Sequence, residues 1–173
     1  MAMNLNRINQ WDSALCLRFN RASHVRWVRS MFGMVSRLGN GVFWYGLMLA
    51  LLAWSGLGAV HAVLHMIAAG LACTLLYKWL KGKTLRPRPF THNEEILCSV
   101  APLDQFSFPS GHTLHAVAFS MVVLAYFSSL FWLVVPFTVL VALSRLVLGL
   151  HYPSDVLAGA AIGALVAGVS LSL

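Results

Sequence analysis

Residues 112–155 read HTLHAVAFSMVVLAYFSSLFWLVVPFTVLVALSRLVLGLHYPSD. No Asp, Glu, Lys or Arg occurs between Thr113 and Leu143, a pattern that suits a bilayer rather than water as the solvent. His112 and His151 are 39 residues apart. At 1.5 Å per residue that is roughly 58 Å of helix, about twice a ~30 Å hydrocarbon core. The segment must therefore cross and return, with its natural reversal near Ser128 and Ser129. His151 comes back to the membrane boundary that His112 left.

The same logic extends outward from this hairpin. Val156 to Leu173 reads as a last helix, with Pro153 near its first turn and Gly159 and Gly163 in a small-xxx-small pattern that favours close helix packing. Upstream, Val42 to Leu80 is almost uncharged, and the cluster Ser55, Gly56, Leu57, Gly58 divides it into two crossings, the first of them short. Residues 8–36 mix Trp11, Phe19, Trp27 and Met31 with closely spaced arginines, which predicts amphipathic helices lying in the interface. Residues 81–110 form the one sizeable polar loop. The expected fold is an all-α polytopic membrane bundle of about five crossings, a sixth being left open, with residues 1–173 forming one domain.

Composition narrows the function. Apolar residues make up 59% of the chain and charged residues 10%, with a mean hydropathy of +0.76. A soluble domain carries about 25% charged residues. This excludes a disordered tail or a disulfide scaffold, and Cys16, Cys73 and Cys98 match no metal-ligand spacing. Lys and Arg number 12 against 5 Asp and Glu, but they are clustered rather than laid out as a stripe with interleaved aromatics. Arg7, Arg18, Arg21, Arg26, Arg29 and Arg37 precede the first long apolar run, and Lys78, Lys81, Lys83, Arg86 and Arg88 crowd one junction. An anionic lipid surface or a phosphorylated substrate fits this better than nucleic acid.

Three polar clusters fall on the same boundary: Lys81, Arg88 and Pro89; Pro109, Ser110, Gly111 and His112; and Ser144, Arg145, His151 and Asp155. Arg145 follows a long uncharged run, so it either marks a site or snorkels at a helix end. Ser110 can cap a helix, and Gly111 lets backbone N–H groups approach an anion. Asp155, four residues beyond His151, can orient that imidazole as a nucleophile or base, or simply hold it structurally. Clustered cations suit the charge that develops in phosphoryl transfer. Glu94, Glu95, Asp104 and Asp155 are too scattered for a metal box. His61 and His65 read as packed or interfacial, and His115 as packed or supporting the site from behind.

Lys81, six residues, Arg88-Pro89; Pro109-Ser110-Gly111-His112; and Ser144-Arg145, five residues, His151, three residues, Asp155: this order resembles the three-part signature of the type 2 phosphatidic acid phosphatase (PAP2) family. The resemblance implies that His151 attacks phosphorus to form a phosphohistidine, Asp155 orients it, and His112 protonates the leaving oxygen. Lys81, Arg88, Ser110, Gly111 and Arg145 would bind the phosphate, with no metal or other cofactor. It implies an integral-membrane enzyme acting on a lipid phosphate or diphosphate, such as phosphatidic acid, phosphatidylglycerol phosphate or undecaprenyl diphosphate. A bacterial inner-membrane location with the site facing the periplasm follows from bacterial relatives, whereas a plain count of positive charge puts that face in the cytoplasm. The sequence leaves the oligomeric state undefined. Rivals are a lipid phosphotransferase using the same pocket, a vanadate-holding haloperoxidase, which the five crossings oppose, and a small channel or scaffold, which gives no reason for the His151–Asp155 pair.

Overall fold

The apolar runs become helices because a backbone in hydrocarbon must satisfy its own hydrogen bonds. The computed structural model describes residues 2–173, with side chains described from residue 10 onward; Arg7, of the N-terminal basic set, therefore lies outside the described side chains. Eight α-helices occur among the described residues: α1 (Ala2–Asn20), α2 (Arg26–Arg37), α3 (Phe43–Ser55), α4 (Val60–Thr84), α5 (Pro89–His92), α6 (Gly111–Tyr126), α7 (Phe131–Val147) and α8 (Pro153–Leu171). Short 3-10 turns at Gly56–Ala59 and Ser128–Leu130 make the two reversals, where the sequence places them.

The protein is an all-α polytopic membrane bundle. Among the described residues three apolar helical runs are long enough to cross a bilayer: Arg26–His92, which contains the α3–α4 hairpin, Ser128–Val147 and Pro153–Leu171; the shorter apolar helix Gly111–Tyr126 joins them. Helices α3, α4, α6, α7 and α8 are thus five apolar rods in alternating direction. Lys81 is still helical, in the last turn of α4, so the polar loop begins only at Leu85. The C-terminal ends of α4 and α7 and the N-terminal ends of α6 and α8 meet at one face.

Helix α6 is the central rod, burying Leu114, Val122 and Val123 against α4, α7 and α8. Its contact with α8 is backbone to backbone. A Cβ added at Gly159 would stand 2.5 Å from the carbonyl oxygen of Ser110, and one at Gly163 would stand 2.3 Å from that of Leu114. The Ser110 N–H also donates to the Asp155 carbonyl at 3.0 Å. These contacts lock the start of α6 beside the start of α8.

The N-terminal helices are amphipathic in an inverted sense. Trp11, Leu15 and Phe19 face outward from α1, while Asp12, Cys16 and Asn20 are buried against the bundle. Asn20 donates from Nδ2 to the carbonyls of Val147 (2.9 Å) and Leu97 (3.0 Å) and accepts the Leu97 N–H at 2.8 Å. The segment expected to lie in the interface therefore also clamps the site-side ends of α7 and the polar loop.

Gly163→Ala should lower the thermal midpoint in detergent, because overpacking against backbone costs about 1–3 kcal/mol. Gly168→Ala, where a Cβ meets nothing within 4 Å, should leave the midpoint unchanged; equal effects would show that α6–α8 contact is not limiting.

Candidate active site

Where the four helix ends converge, a cavity of about 690 Å³ is lined by Lys81, Arg88, Gly111, His112, Arg145 and His151. Two hairpins thus bring together residues that the sequence separates by up to 70 positions. Ser110 and Asp155 stand behind this lining. The Ser110 hydroxyl is fully buried and pairs with Thr113 Oγ1 at 3.0 Å, so Ser110 occupies the N-cap position of α6 without the side-chain cap expected of it. Asp155 is buried at the start of α8, where its Oδ2 accepts the Tyr152 N–H at 2.9 Å.

Arg145 is 2% exposed, and its Nε and Nη2 donate only to the Ser144 hydroxyl, at 3.0 and 2.9 Å. Among the described residues no carboxylate pairs with it. A buried charge without a counter-ion costs several kcal/mol, and this one faces the cavity. The guanidinium is buried and does not snorkel.

Lys81 and Arg88 are instead bridged by Asp104, which the sequence analysis left among the scattered acids. Lys81 Nζ donates to both Asp104 oxygens at 2.7 Å, and Arg88 Nη2 donates to Oδ1 at 2.8 Å. Burial raises the Asp104 pKa, but the hydrogen bonds and charges of Lys81 and Arg88 outweigh it and hold the carboxyl below its ordinary value. Arg88 also ties the loop to the site through the Leu150 carbonyl at 2.7 Å.

His151 is 3% exposed, with Nε2 facing Arg88 Nη1 at 3.4 Å and Nδ1 standing 3.6 Å from Asp155 Oδ2. A guanidinium can only donate, so the nitrogen it faces is the unprotonated one and the proton sits on Nδ1, toward the carboxylate. The Nδ1 contact is longer than a hydrogen bond. Cys16 packs behind, with its Sγ 3.8 Å from the His151 carbonyl oxygen.

Asn40 and Arg86, to which the sequence analysis assigns no site role, complete the surroundings together with His115, which it leaves open between packing and support. Asn40 Oδ1 contacts His112 Nε2; it reaches there from the turn between α2 and α3, where Gly41 has φ of 118°, a conformation open essentially to glycine. Arg86 donates to Asp155 Oδ1 at 2.6 Å and to Asp12 Oδ2 at 2.7 Å. His115 is held by Gly111, Thr74 and Gly70, and so buttresses the cavity wall. His65, by contrast, bonds Tyr126 and Ser170, and none of the three lines the cavity.

The cavity does not end at the polar face. It continues between α3 and α4 past Trp44, Met48 and Phe119 to Tyr45, Ile67 and Leu71. The last three are 64%, 44% and 61% exposed, so the cavity opens sideways. From Lys81 to Ile67 is about 21 Å along α4. Among the described residues no group of three or more His, Cys, Asp or Glu is placed to hold a metal ion.

A helical membrane bundle with a side-opening apolar slot that ends in buried cations and two histidines defines a multi-pass membrane phosphatase. The chain belongs to the PAP2 superfamily, whose family model matches residues 58–173, and it is a lipid phosphatase of that superfamily. It is similar to the transmembrane PAP2-type phosphatidylglycerolphosphate phosphatase from Bacillus subtilis, with 25% identity over 96% of this chain and 86% of the other and a TM-score of 0.77. It is also similar to LpxE from Aquifex aeolicus, with 28% identity over 90% of this chain and 93% of the other and a TM-score of 0.72.

Burial pushes the His151 imidazole down to about 4, against the pull of Asp155 and with help from Arg88 and Lys81. Between pH 6.5 and 4 the unfolded chain therefore binds the proton that the folded chain refuses. The stability this group supports is complete above pH 6.5 and falls as pH drops, by about 3 kcal/mol at pH 4. Thermal midpoints in detergent at pH 7.5 and 4.5 should fall further for the wild type than for His151→Gln; parallel losses would show an imidazole that titrates normally.

Proposed function

We propose that the chain hydrolyses a membrane lipid phosphate or diphosphate through a phosphohistidine at His151 and releases inorganic phosphate. The observation that carries this reading is the buried Arg145, without a carboxylate partner, facing the same cavity as His151. A phosphate dianion is the counter-ion that such a site lacks.

The phosphate enters with its oxygens on Arg145, Gly111 and the cations Lys81 and Arg88, displacing the Asp104 carboxylate from the latter two. Ser110 contributes by starting α6, whose free N–H groups and dipole point at the anion. His151 Nε2 attacks phosphorus, the bond to the lipid oxygen breaks, and His112 gives that oxygen its proton. Asp155 takes up the positive charge that grows on the imidazole, through the Nδ1 proton. Water then attacks the phosphoryl group, His112 removes its proton, and the nitrogen–phosphorus bond breaks to free inorganic phosphate. Throughout, fixed cations stabilise the equatorial oxygens.

The apolar slot between α3 and α4 suits acyl or prenyl tails, which remain in the leaflet while the head group reaches the cations. The one-domain reading of residues 1–173 is supported by α1 and the turn at Asn40 each contributing contacts to the site. In this reading the enzyme sits in a bacterial inner membrane with its site on the periplasmic face; the bacterial origin of both similar chains supports the first part, a bacterial membrane.

Phosphate release should be measured over a panel of purified phosphatidic acid, phosphatidylglycerol phosphate and undecaprenyl diphosphate in detergent micelles. At least one should release phosphate, His151→Gln should release none, and transfer of the phosphoryl group to a lipid acceptor instead of water would replace hydrolysis by phosphotransfer. Arg145→Lys should lower kcat/KM by about 100-fold, since a point charge does not reproduce the guanidinium fork. An unchanged rate in Arg145→Lys would remove that residue from the phosphate seat.

A further inference from the structure

The residues behind the nucleophile form a chain of charge that reaches the N-terminal helix. Asp155 Oδ2 faces His151 Nδ1 at 3.6 Å, and its Oδ1 accepts Arg86 Nη1 at 2.6 Å. Arg86 Nη2 reaches Asp12 Oδ2 at 2.7 Å, and Nη1 also donates to the Ser154 hydroxyl at 2.7 Å. Asp12 Oδ1 accepts the Ser154 N–H at 3.0 Å, and the Ser154 hydroxyl donates to its Oδ2. Asp12 is 5% exposed and Asp155 fully buried, so solvent screens this chain little. Asp12 lies outside the residues that the family model matches.

The charge balance gives the arrangement a purpose. Arg86 alone against Asp155 would neutralise the carboxylate that must receive positive charge from His151. A second carboxylate on the other arm of the guanidinium divides its attraction, leaving the trio with a net negative charge facing the imidazole. The fork also fixes Asp155 in rotation, since one oxygen is tethered to Arg86 and the other is left to His151 and the Tyr152 N–H. We propose that Asp12 and Arg86 are positioning residues for the His151–Asp155 pair, so that α1 is part of the catalytic apparatus through its buried carboxylate. This rests on His151 being the nucleophile.

The groups that face His151 are Lys81 from α4, Arg88 at the start of α5, His112 from α6, Arg145 from α7, Asp155 from α8 and the Cys16 thiol from α1. None of these side chains is itself replaced in the Asp12 and Arg86 variants. The test measures kcat and KM with dioctanoyl phosphatidic acid in detergent micelles. It also measures Ki for orthovanadate, whose five-coordinate adduct resembles the transition state. The proteins compared are full-length wild type, Asp12→Asn, Asp12→Glu, Arg86→Lys and His151→Gln.

Asp12→Asn and Arg86→Lys should each lower kcat by about 10- to 100-fold, the range seen when groups that orient a ligand from behind are removed. Ki for vanadate should rise by a similar factor while KM stays within about threefold, and Asp12→Glu should recover most of kcat. A partly unfolded sample lowers kcat without moving Ki, so a lowered kcat with wild-type Ki in both Asp12→Asn and Arg86→Lys overturns the proposal. Wild-type kcat in both does the same. If Asp12→Asn does not fold, Arg86→Lys, which keeps a cation between the two carboxylates, decides alone. Phosphate release by His151→Gln would remove the nucleophile itself, and with it the premise, whatever Asp12 does.

Discussion

The contact on which the rest depends is the approach of α8 to α6 at Gly159 and Gly163. There, helix backbone meets the carbonyl oxygens of Ser110 and Leu114 with no room for a side chain. In hydrocarbon the hydrophobic effect does not drive helices together, so close packing of small residues is what holds them. The contact is made near the ends that line the cavity. Drawing the start of α8 onto the start of α6 sets His151 and Asp155 beside Gly111 and His112, and the hairpins then return Lys81 and Arg145 to the same place.

Once those ends are joined, the electrostatics follow an economy of few charges. Each acid near the site has a specific employment: Asp104 spans Lys81 and Arg88, while Asp155 and Asp12 share Arg86. Among the buried cations described in the cavity, Arg145 is left with only a hydroxyl. The buried cations therefore divide into a pair, Lys81 and Arg88, that shares one carboxylate and a third, Arg145, that has none.

Much of this was legible in the sequence, because a bilayer simplifies the reading. Uncharged runs had to be helices, their lengths dictated where they turned, and turns at Gly56–Ala59 and Ser128–Leu130 fall where glycine and serine interrupt the apolar pattern. The side to which Lys81, Arg88, His112, Arg145 and His151 return followed from the same arithmetic. The partners did not. Asp104 stands in the sequence only among acids too scattered for a metal box because its link to Lys81 spans 23 residues, and Asp12 carries no site signal because its link to Arg86 spans 74. Asn40 gave no signal, since what matters is the backbone bend at Gly41 that carries it to His112. Ser110 misled in the opposite way: its hydroxyl turns to Thr113 rather than capping the helix. Local pattern reports burial and periodicity, whereas ion pairing is settled by contacts that exist only after the helices have packed.

With lipid entering as proposed, the slot between α3 and α4, walled by Trp44 and Met48 and open at Tyr45, Ile67 and Leu71, changes the variable that governs supply. A doorway facing the leaflet samples the two-dimensional mole fraction of lipid, not its molarity in water. Inert lipid added at constant bulk amount thins the traffic past the doorway and slows turnover, although no residue of the protein has changed.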